Sequence, residues 1–392
     1  MNNKKILLVY PHNFLQGLHG TNMNIYQLTK VFKELNYNID LFAYEGFTPD
    51  SDFSNFEDQN KEKLIDKLYV YDFRKSKKIN KVSIINKIKN KIKSKTEVHL
   101  QDWTNCEIQD YFDKITSNNR YDTVIVTYSY LANLIVKTKN KINYEKIYYM
   151  IDSMFLQQYS WDKKINKNLT LGKLMDEELE RLSYFDKFLC VSNDEKIFYE
   201  KLLEKKMYFI PHFSDKKNYK LKPLHKRKWD VFFIGFDNPF NVEGLNWFLD
   251  EVYPYLNKNL KILLVGTSTN KVNNSYSNVY IIQYAPNLEE IFENVKISIC
   301  PMFRGTGIKI KVVESMENGL PVVCTERGVD GLPDKTECGC LVAENAKEFA
   351  GYVNKLIDDE NFYNEVSEKI KNYYNKMFDR EKYIKLIKQV LV

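Results

Sequence analysis

The chain lacks most of what would tie it to a membrane, a metal or a disulfide framework. It contains no run of about 18 apolar residues, so no membrane-spanning helix is expected. The opening MNNKKILLVY has only a short apolar stretch before Pro11, and no signal peptide is expected from it. The cysteines, at 106, 190, 300, 324, 338 and 340, form no C-x-x-C pair. Cys338 and Cys340 stand too close together and too isolated for a zinc site. Free thiols in a reducing cytoplasm are the simplest fit. Neither half has the G-x-G-x-x-G fingerprint, which disfavours a dinucleotide oxidoreductase. No D-x-D motif is read after a strand in a suitable loop, so neither a metal nor a cofactor is expected. The net charge of +6, from 58 basic and 52 acidic residues, is too mild to argue for nucleic acid.

What is present is ordinary for a globular chain: 44% hydrophobic and 28% charged residues. At 392 residues, two domains are the better expectation. The most informative stretch is Pro301–Met316, PMFRGTGIKIKVVESM. It follows VKISIC, a buried-strand run, and precedes the helix stop Asn318-Gly319-Leu320-Pro321 and a further strand, VVC. Gly305 and Gly307 permit positive φ and close backbone approach. A helix opening there offers unpartnered N–H groups and partial positive charge to an anion. Arg304, Lys309 and Lys311 add formal charge, and Glu314 lies one turn on, near Lys311. A carboxylate beside a phosphate cradle needs donors, and sugar hydroxyls are good ones. A nucleoside diphosphate bearing a sugar is one reading; a plain βαβ turn with a solvated basic helix is the other.

GTGIKIKVVESMENGLPVVCTERGVDGL resembles the donor-binding segment of GT-B glycosyltransferases of family 4, the group 1 transferases. The resemblance implies that Glu314 contacts the ribose. Thr306 stands where that family has a first glutamate, which helps hold the donor sugar. FIGFDNPFNVEGLNWF resembles the family's opening loop, with Gly235 at its tight turn. Many members have a basic residue there; Asp237, Asn238 and Pro239 offer none. Gln283-Tyr284-Ala285-Pro286 falls where relatives seat the base, so Tyr284 is either a base contact or a core residue. Asp330 stands where many members have Glu. Gly20-Thr21 occupies the place of a glycine loop that faces the donor phosphates. His12 and His19 are candidates for proton handling or merely exposed loop residues. The tract YYMIDSMFLQQYSWD resembles the acceptor-side region, where Asp152 is a general base or hydroxyl anchor. A helix N-cap is the alternative for Asp152.

The expected fold is α/β, GT-B: two Rossmann-like domains with parallel sheets facing a central cleft. The acceptor domain is expected over 1–215, a linker over 216–228, which is basic and broken by Pro223, and the nucleotide-sugar domain over 229–375. A helix in 376–392 is expected to cross back to the first domain. Residues 74–95, RKSKKINKVSIINKIKNKIKSK, hold ten basic residues and no acidic one. Apolar residues recur there at helical spacing, so the segment reads as a helix for an anionic membrane surface or one packed on its domain. The resemblance implies transfer of a hexosyl unit from a nucleotide-sugar to a glycan, lipid-linked or protein-linked hydroxyl, with retention and without metal. Bacterial surface-glycan synthesis, in the cytoplasm or on the inner membrane face, is the expected setting. A catalytically inactive GT-B partner subunit and a nucleotide-sugar epimerase are the alternatives.

Overall fold

A computed structural model describes residues 4–16, 20–75, 98–162, 169–213, 221–272, 276–285 and 287–391. His19 and most of the basic segment 74–95 lie outside these residues. The chain divides into two compact units, Met1–Ile210 with Glu381–Val392, and Pro211–Arg380.

Unit 1 is built on seven strands: β1 (Lys5–Val9), β2 (Asn38–Glu45), β3 (Lys67–Asp72), β4 (Thr123–Thr127), β5 (Glu145–Met150), β6 (Lys187–Cys190) and β7 (Met207–Phe209). They form one sheet in the order β3-β2-β1-β4-β5-β6-β7, parallel throughout. A parallel sheet is covered on both faces, so its strands read as unbroken apolar runs. Ile6, Leu7, Leu8 and Val9 are all 0% exposed. The terminal helix Arg380–Val390 packs with this unit, as expected of a crossing helix. Lys4 Nζ and Tyr37 Oη each donate to Leu391 O at 3.2 Å, and Lys187 Nζ donates to Val390 O at 2.6 Å.

Unit 2 repeats the plan with β8 (Trp229–Ile234), β9 (Ile262–Val265), β10 (Val279–Ile282), β11 (Val295–Cys300), β12 (Val322–Cys324) and β13 (Leu341–Val342). The order is β10-β9-β8-β11-β12-β13, again all parallel. Alternate residues feed two cores. Val231, Phe233, Ile262 and Leu264 enter one, and Phe232, Leu263 and Val265 the other. Each such side chain contributes roughly 1.5–3 kcal/mol by leaving water. The stretch expected as a linker, 216–228, is partly built into this unit. Lys222 N donates to Glu293 O at 3.2 Å, and Arg227 Nη1 donates to Tyr363 Oη at 2.7 Å. Its basic, Pro-broken composition reads as linker, yet Leu221 and Leu224 pack on the two cores.

In both sheets the chain runs outward from the first strand and then returns to that strand's other side. The reversal falls between β1 and β4 in unit 1 and between β8 and β11 in unit 2. Loops leaving neighbouring strands diverge there, opening a crevice at the strands' carboxyl ends. In unit 1 the crevice is bordered by Tyr10–His12 and Tyr128. In unit 2 it is bordered by Gly235 and the 301–309 loop.

Candidate functional site

In unit 2 the loop after β11 bends through Gly305 at φ 114° and Gly307 at φ 69°. A side chain at either would strain the backbone. The loop delivers the chain to the helix Ile310–Glu317, which has Lys309 at its N-cap position. Lys309 is 8% exposed and turns its Nζ back on the loop, donating to Gly307 O at 2.8 Å and Thr306 O at 3.2 Å. It therefore holds the glycine turn closed from within. Thr306 is half-buried in that turn.

Arg304 is committed to a partner that sequence reasoning missed. Its Nε and Nη2 each donate to the Glu243 carboxylate at 2.9 Å, and the guanidinium lies over the Phe240 ring at 5.6 Å. Lys311 reaches across to β8 and to the helix Pro239–Trp247 that follows it. Its Nζ donates to Asn241 Oδ1 at 2.8 Å and lies 4.4 Å from the centre of the Phe233 ring. Burial lowers its pKa to about 8, reinforced by Lys309. Asn241 is itself 6% exposed, and its Nδ2 donates to Phe236 O at 2.9 Å. One amide thus ties the lysine to the opening loop. A second cation also arrives there: Lys271 Nζ meets Asp237 at 2.8 Å. The loop has no basic residue of its own, but the fold supplies two.

Glu314 is half-buried. Burial raises its pKa to about 7, Glu317 adds to the rise, and Lys311 opposes it. No hydrogen bond to its carboxylate is found among the described residues. Gly235 contributes shape rather than a donor: its N–H goes to Val265 O at 3.0 Å and its carbonyl accepts from Ser268 Oγ at 2.9 Å. Tyr284 is 79% exposed, which corrects the core-packing alternative for it. Asp330 is engaged by Arg327 at 3.3 Å and Lys335 at 3.7 Å.

The helix Pro239–Trp247 begins at Asn238, whose side chain accepts from Asn241 N at 2.8 Å. Gly244 lets this helix touch the loop after β11: a Cβ there would stand 2.0 Å from Pro301 O. Gly244→Ala is therefore expected to cost about 1–3 kcal/mol by overpacking. Differential scanning calorimetry reads this as a melting point lowered by a few degrees; an unchanged value would show that the contact gives way freely.

The unit 1 candidates gather around a residue absent from the sequence reading, Tyr128. It directly follows β4, is 9% exposed, and holds φ 53°, ψ 123°. Such a backbone costs a non-glycine residue about 1–3 kcal/mol and is typical of functional sites. Its ring lies 6.0 Å from that of Tyr10, whose phenol donates to Asn22 Oδ1 at 2.6 Å, and burial together with the nearby Asp152 charge pushes the Tyr128 pKa up. Gly20, at φ 47°, opens the helix Gly20–Glu34 beside this contact. The His12 ring lies 6.4 Å from that of Tyr128, and its Nδ1 is 2.9 Å from Thr48 Oγ1.

Asp152 is not the cap of the helix Met154–Asp162. The Met154 and Phe155 amides donate instead to Glu178, at 3.2 and 3.0 Å. Glu178 is 0% exposed and also accepts from Tyr199 Oη at 2.9 Å. Burial raises its pKa, partly offset by these bonds. Its signal in the sequence is a glutamate between Leu174 and Leu182 on the buried stripe of one helix. One D-x-D, Asp50-Ser51-Asp52, does stand in the loop after a strand, β2. Asp52 accepts from Ser54 N at 2.9 Å, and Ser51 Oγ donates to Pro11 O at 3.1 Å. Among the described residues no three His, Cys, Asp or Glu side chains are gathered to hold a metal.

Residues 228–359 match the family model "Glycosyl transferases group 1". A curated relative, "Uncharacterized 44.6 kDa protein in cps region" of Klebsiella pneumoniae, is 28% identical over 264 residues. That match covers 61% of this chain and 66% of the relative, a little under two thirds of its length. Among solved structures, sucrose-phosphate synthase from Thermosynechococcus elongatus superposes with a TM-score of 0.68 at 14% identity, covering 99% of this chain and 98% of that one. Anabaena Alr3699/HepE in complex with UDP gives 0.67 at 12% identity, with 99% of both chains covered. TarM gives 0.65 at 11% identity, covering 99% and 98%. At such identities these likenesses are of fold. Residues 228–359, which carry the glycine loop and Glu314, are a group 1 glycosyltransferase domain, and the chain has the GT-B fold of two parallel-sheet Rossmann-like domains.

Proposed function

We propose that the chain transfers a hexosyl unit from a nucleotide-diphosphate sugar to a hydroxyl of a glycan or glycan-bearing acceptor, in the building of a surface polysaccharide. The carrying observation is Glu314: a half-buried carboxyl with no hydrogen-bond donor among the described residues, one turn into the helix opened by Gly305 and Gly307. In this reading the loop and helix amides receive the diphosphate, with Lys309, Lys311 and Lys271 supplying positive charge. Glu314 accepts the ribose hydroxyls, and the exposed Tyr284 ring meets the base. Arg304 joins only if the diphosphate displaces it from Glu243. Anabaena HepE in complex with UDP makes a UDP-sugar the first donor to test, and the cps-region relative supports a surface glycan.

The acceptor belongs to unit 1, where Asp152 anchors or deprotonates the attacking hydroxyl. Retention without metal is part of the proposal: the departing diphosphate takes the acceptor proton, so a strong protein base is unnecessary. Two observations favour a second reading, a partner subunit without turnover: Thr306 in place of a carboxylate, and the Arg304 charge engaged by Glu243. One screen separates them. Thermal shift with UDP-, GDP-, ADP- and CDP-sugars should reveal one stabilising nucleotide class, and the matching sugar should be slowly hydrolysed. Binding without hydrolysis or transfer supports the partner subunit, and no binding at all overturns both.

A further inference from the structure

We infer that unit 1 carries an aromatic platform for a pyranose ring, so that the acceptor is recognised as a sugar and not through a lipid phosphate. This rests on the glycosyltransferase reading and specifies its acceptor. The platform lies where the loops leave β1, β2, β3 and β4. The ring centre of Phe47 is 5.1 Å from that of Trp103, 5.3 Å from Phe73 and 6.3 Å from His12. Trp103 in turn lies 5.6 Å from Tyr128 and 4.8 Å from Tyr130. Phe47, Phe73, Trp103 and His12 are each half-buried, and each lies in a segment that follows the carboxyl end of a strand.

Trp103 is held as a binding ring should be. Its N–H donates to Tyr130 O at 2.9 Å, its carbonyl accepts from Tyr44 Oη at 2.9 Å, and its Nε1 donates to Gln101 Oε1 at 3.1 Å. Arg181 fastens the same loop to the segment after Tyr128. Its Nη1 donates to Gln101 O at 2.6 Å and Ser129 O at 3.2 Å, and its Nη2 to Leu100 O at 2.9 Å. Preorganised rings give up little entropy on binding. The strained backbone of Tyr128 lies at the platform's edge.

The polar rim selects the ligand. Asp102 directly precedes Trp103 in the chain, and the charges of Asp152 and Asp50 help raise the Tyr128 phenol pKa, whose main cause is burial. The described cations near this rim are engaged: Lys137 with Asp102 at 3.0 Å, Arg74 with Asp72 at 3.1 Å and Glu45 at 3.3 Å, Lys75 with Asp72 at 3.4 Å, and Arg181 with the Leu100, Gln101 and Ser129 carbonyls. An anionic phosphate would meet carboxylates here. A sugar suits both features, its C–H face lying on the rings and its hydroxyls donating to the acids.

The test uses the full chain and a panel of methyl hexopyranosides, with farnesyl phosphate as the lipid-phosphate probe. Saturation-transfer NMR should find one hexopyranoside bound through a C–H face. Trp103→Leu and Phe47→Leu keep apolar bulk and remove the ring face; each should weaken that binding about tenfold. Melting curves confirm that both variants fold, and their affinity for UDP should be unchanged. If no hexopyranoside binds, or both leucine variants bind it as tightly as the wild type, the platform is overturned. If farnesyl phosphate binds instead, the sugar assignment falls while the transferase reading stands. Loss of that reading shows separately, as absence of any nucleotide-sugar response.

Discussion

Glu314→Gln should raise the melting temperature of the ligand-free protein at pH 8 and remove its response to nucleotide. The folded-state pKa of Glu314 is raised from 4.5 to about 7, with burial the main cause. The folded chain therefore holds this proton more tightly than the unfolded chain. The stability that the neutral acid contributes is complete below the unfolded value and is lost as pH rises through about 7. At pH 8 a charged carboxylate is left poorly solvated. The full shift is discounted for partial exposure, leaving about 1–2 kcal/mol to be recovered by glutamine. That is a melting point a few degrees higher. Lys311, depressed to about 8, has the complementary dependence: its contribution is complete above its unfolded value and is lost as pH falls through 8. Nucleotide binding should suffer in the same variant by about 1.5–3 kcal/mol, the range for hydrogen bonds to a charged acceptor. Calorimetric titration with the nucleotide found by the screen measures it. Wild-type affinity should strengthen between pH 6 and 8 as the acid ionises, and the glutamine variant should not follow. Equal affinities in both proteins would remove Glu314 from the site. A variant less stable than wild type at pH 8 would show the carboxylate to be structural.

Glu178→Ala should be the most destabilising single change in unit 1. It would strand two buried amides at the start of the helix Met154–Asp162 and take one of two partners from the buried Tyr199 phenol, leaving it Ser153 Oγ at 2.8 Å. Each such loss costs about 1–3 kcal/mol, so about 3–5 kcal/mol together is expected. Urea unfolding should show the midpoint fall with little change in slope. Glu178→Gln keeps the shape and one acceptor oxygen, and should cost about 1–2 kcal/mol. Because this helix start follows Asp152-Ser153, the glutamine variant should raise the acceptor KM more than the donor KM. Equal effects on both substrates would mean that Glu178 supports the fold without aiming Asp152.

The two candidate regions were unequally legible in the chain. The donor loop is contiguous: strand, two glycines, basic helix start and glutamate all fall between Val295 and Glu314, so local chemistry suffices to read it. The partners of its side chains do not follow from that chemistry. Arg304 reads as a phosphate ligand, yet Glu243, far earlier in the chain, accepts from its Nε and Nη2. Lys271 could not be placed near Asp237 without the crossover from β8 to β9. Asp152 was correctly set at a strand end, but its capping alternative failed because Glu178 reached those amides first. Tyr128 went unread because an ordinary tyrosine after a strand carries no local mark of its unusual backbone.

Periodicity and apolar runs were enough to establish two parallel α/β units, since strand burial and helix faces are written at short range. The glycine positions likewise announced a turn suited to an anion, because glycine adopts positive φ at the least cost. Which side chains meet was settled only by folding. Adjacent strands in a parallel sheet end side by side however far apart they lie in the chain. Rings from positions 47, 73, 103 and 128 therefore converge, and charges find their partners, at separations that no local pattern encodes.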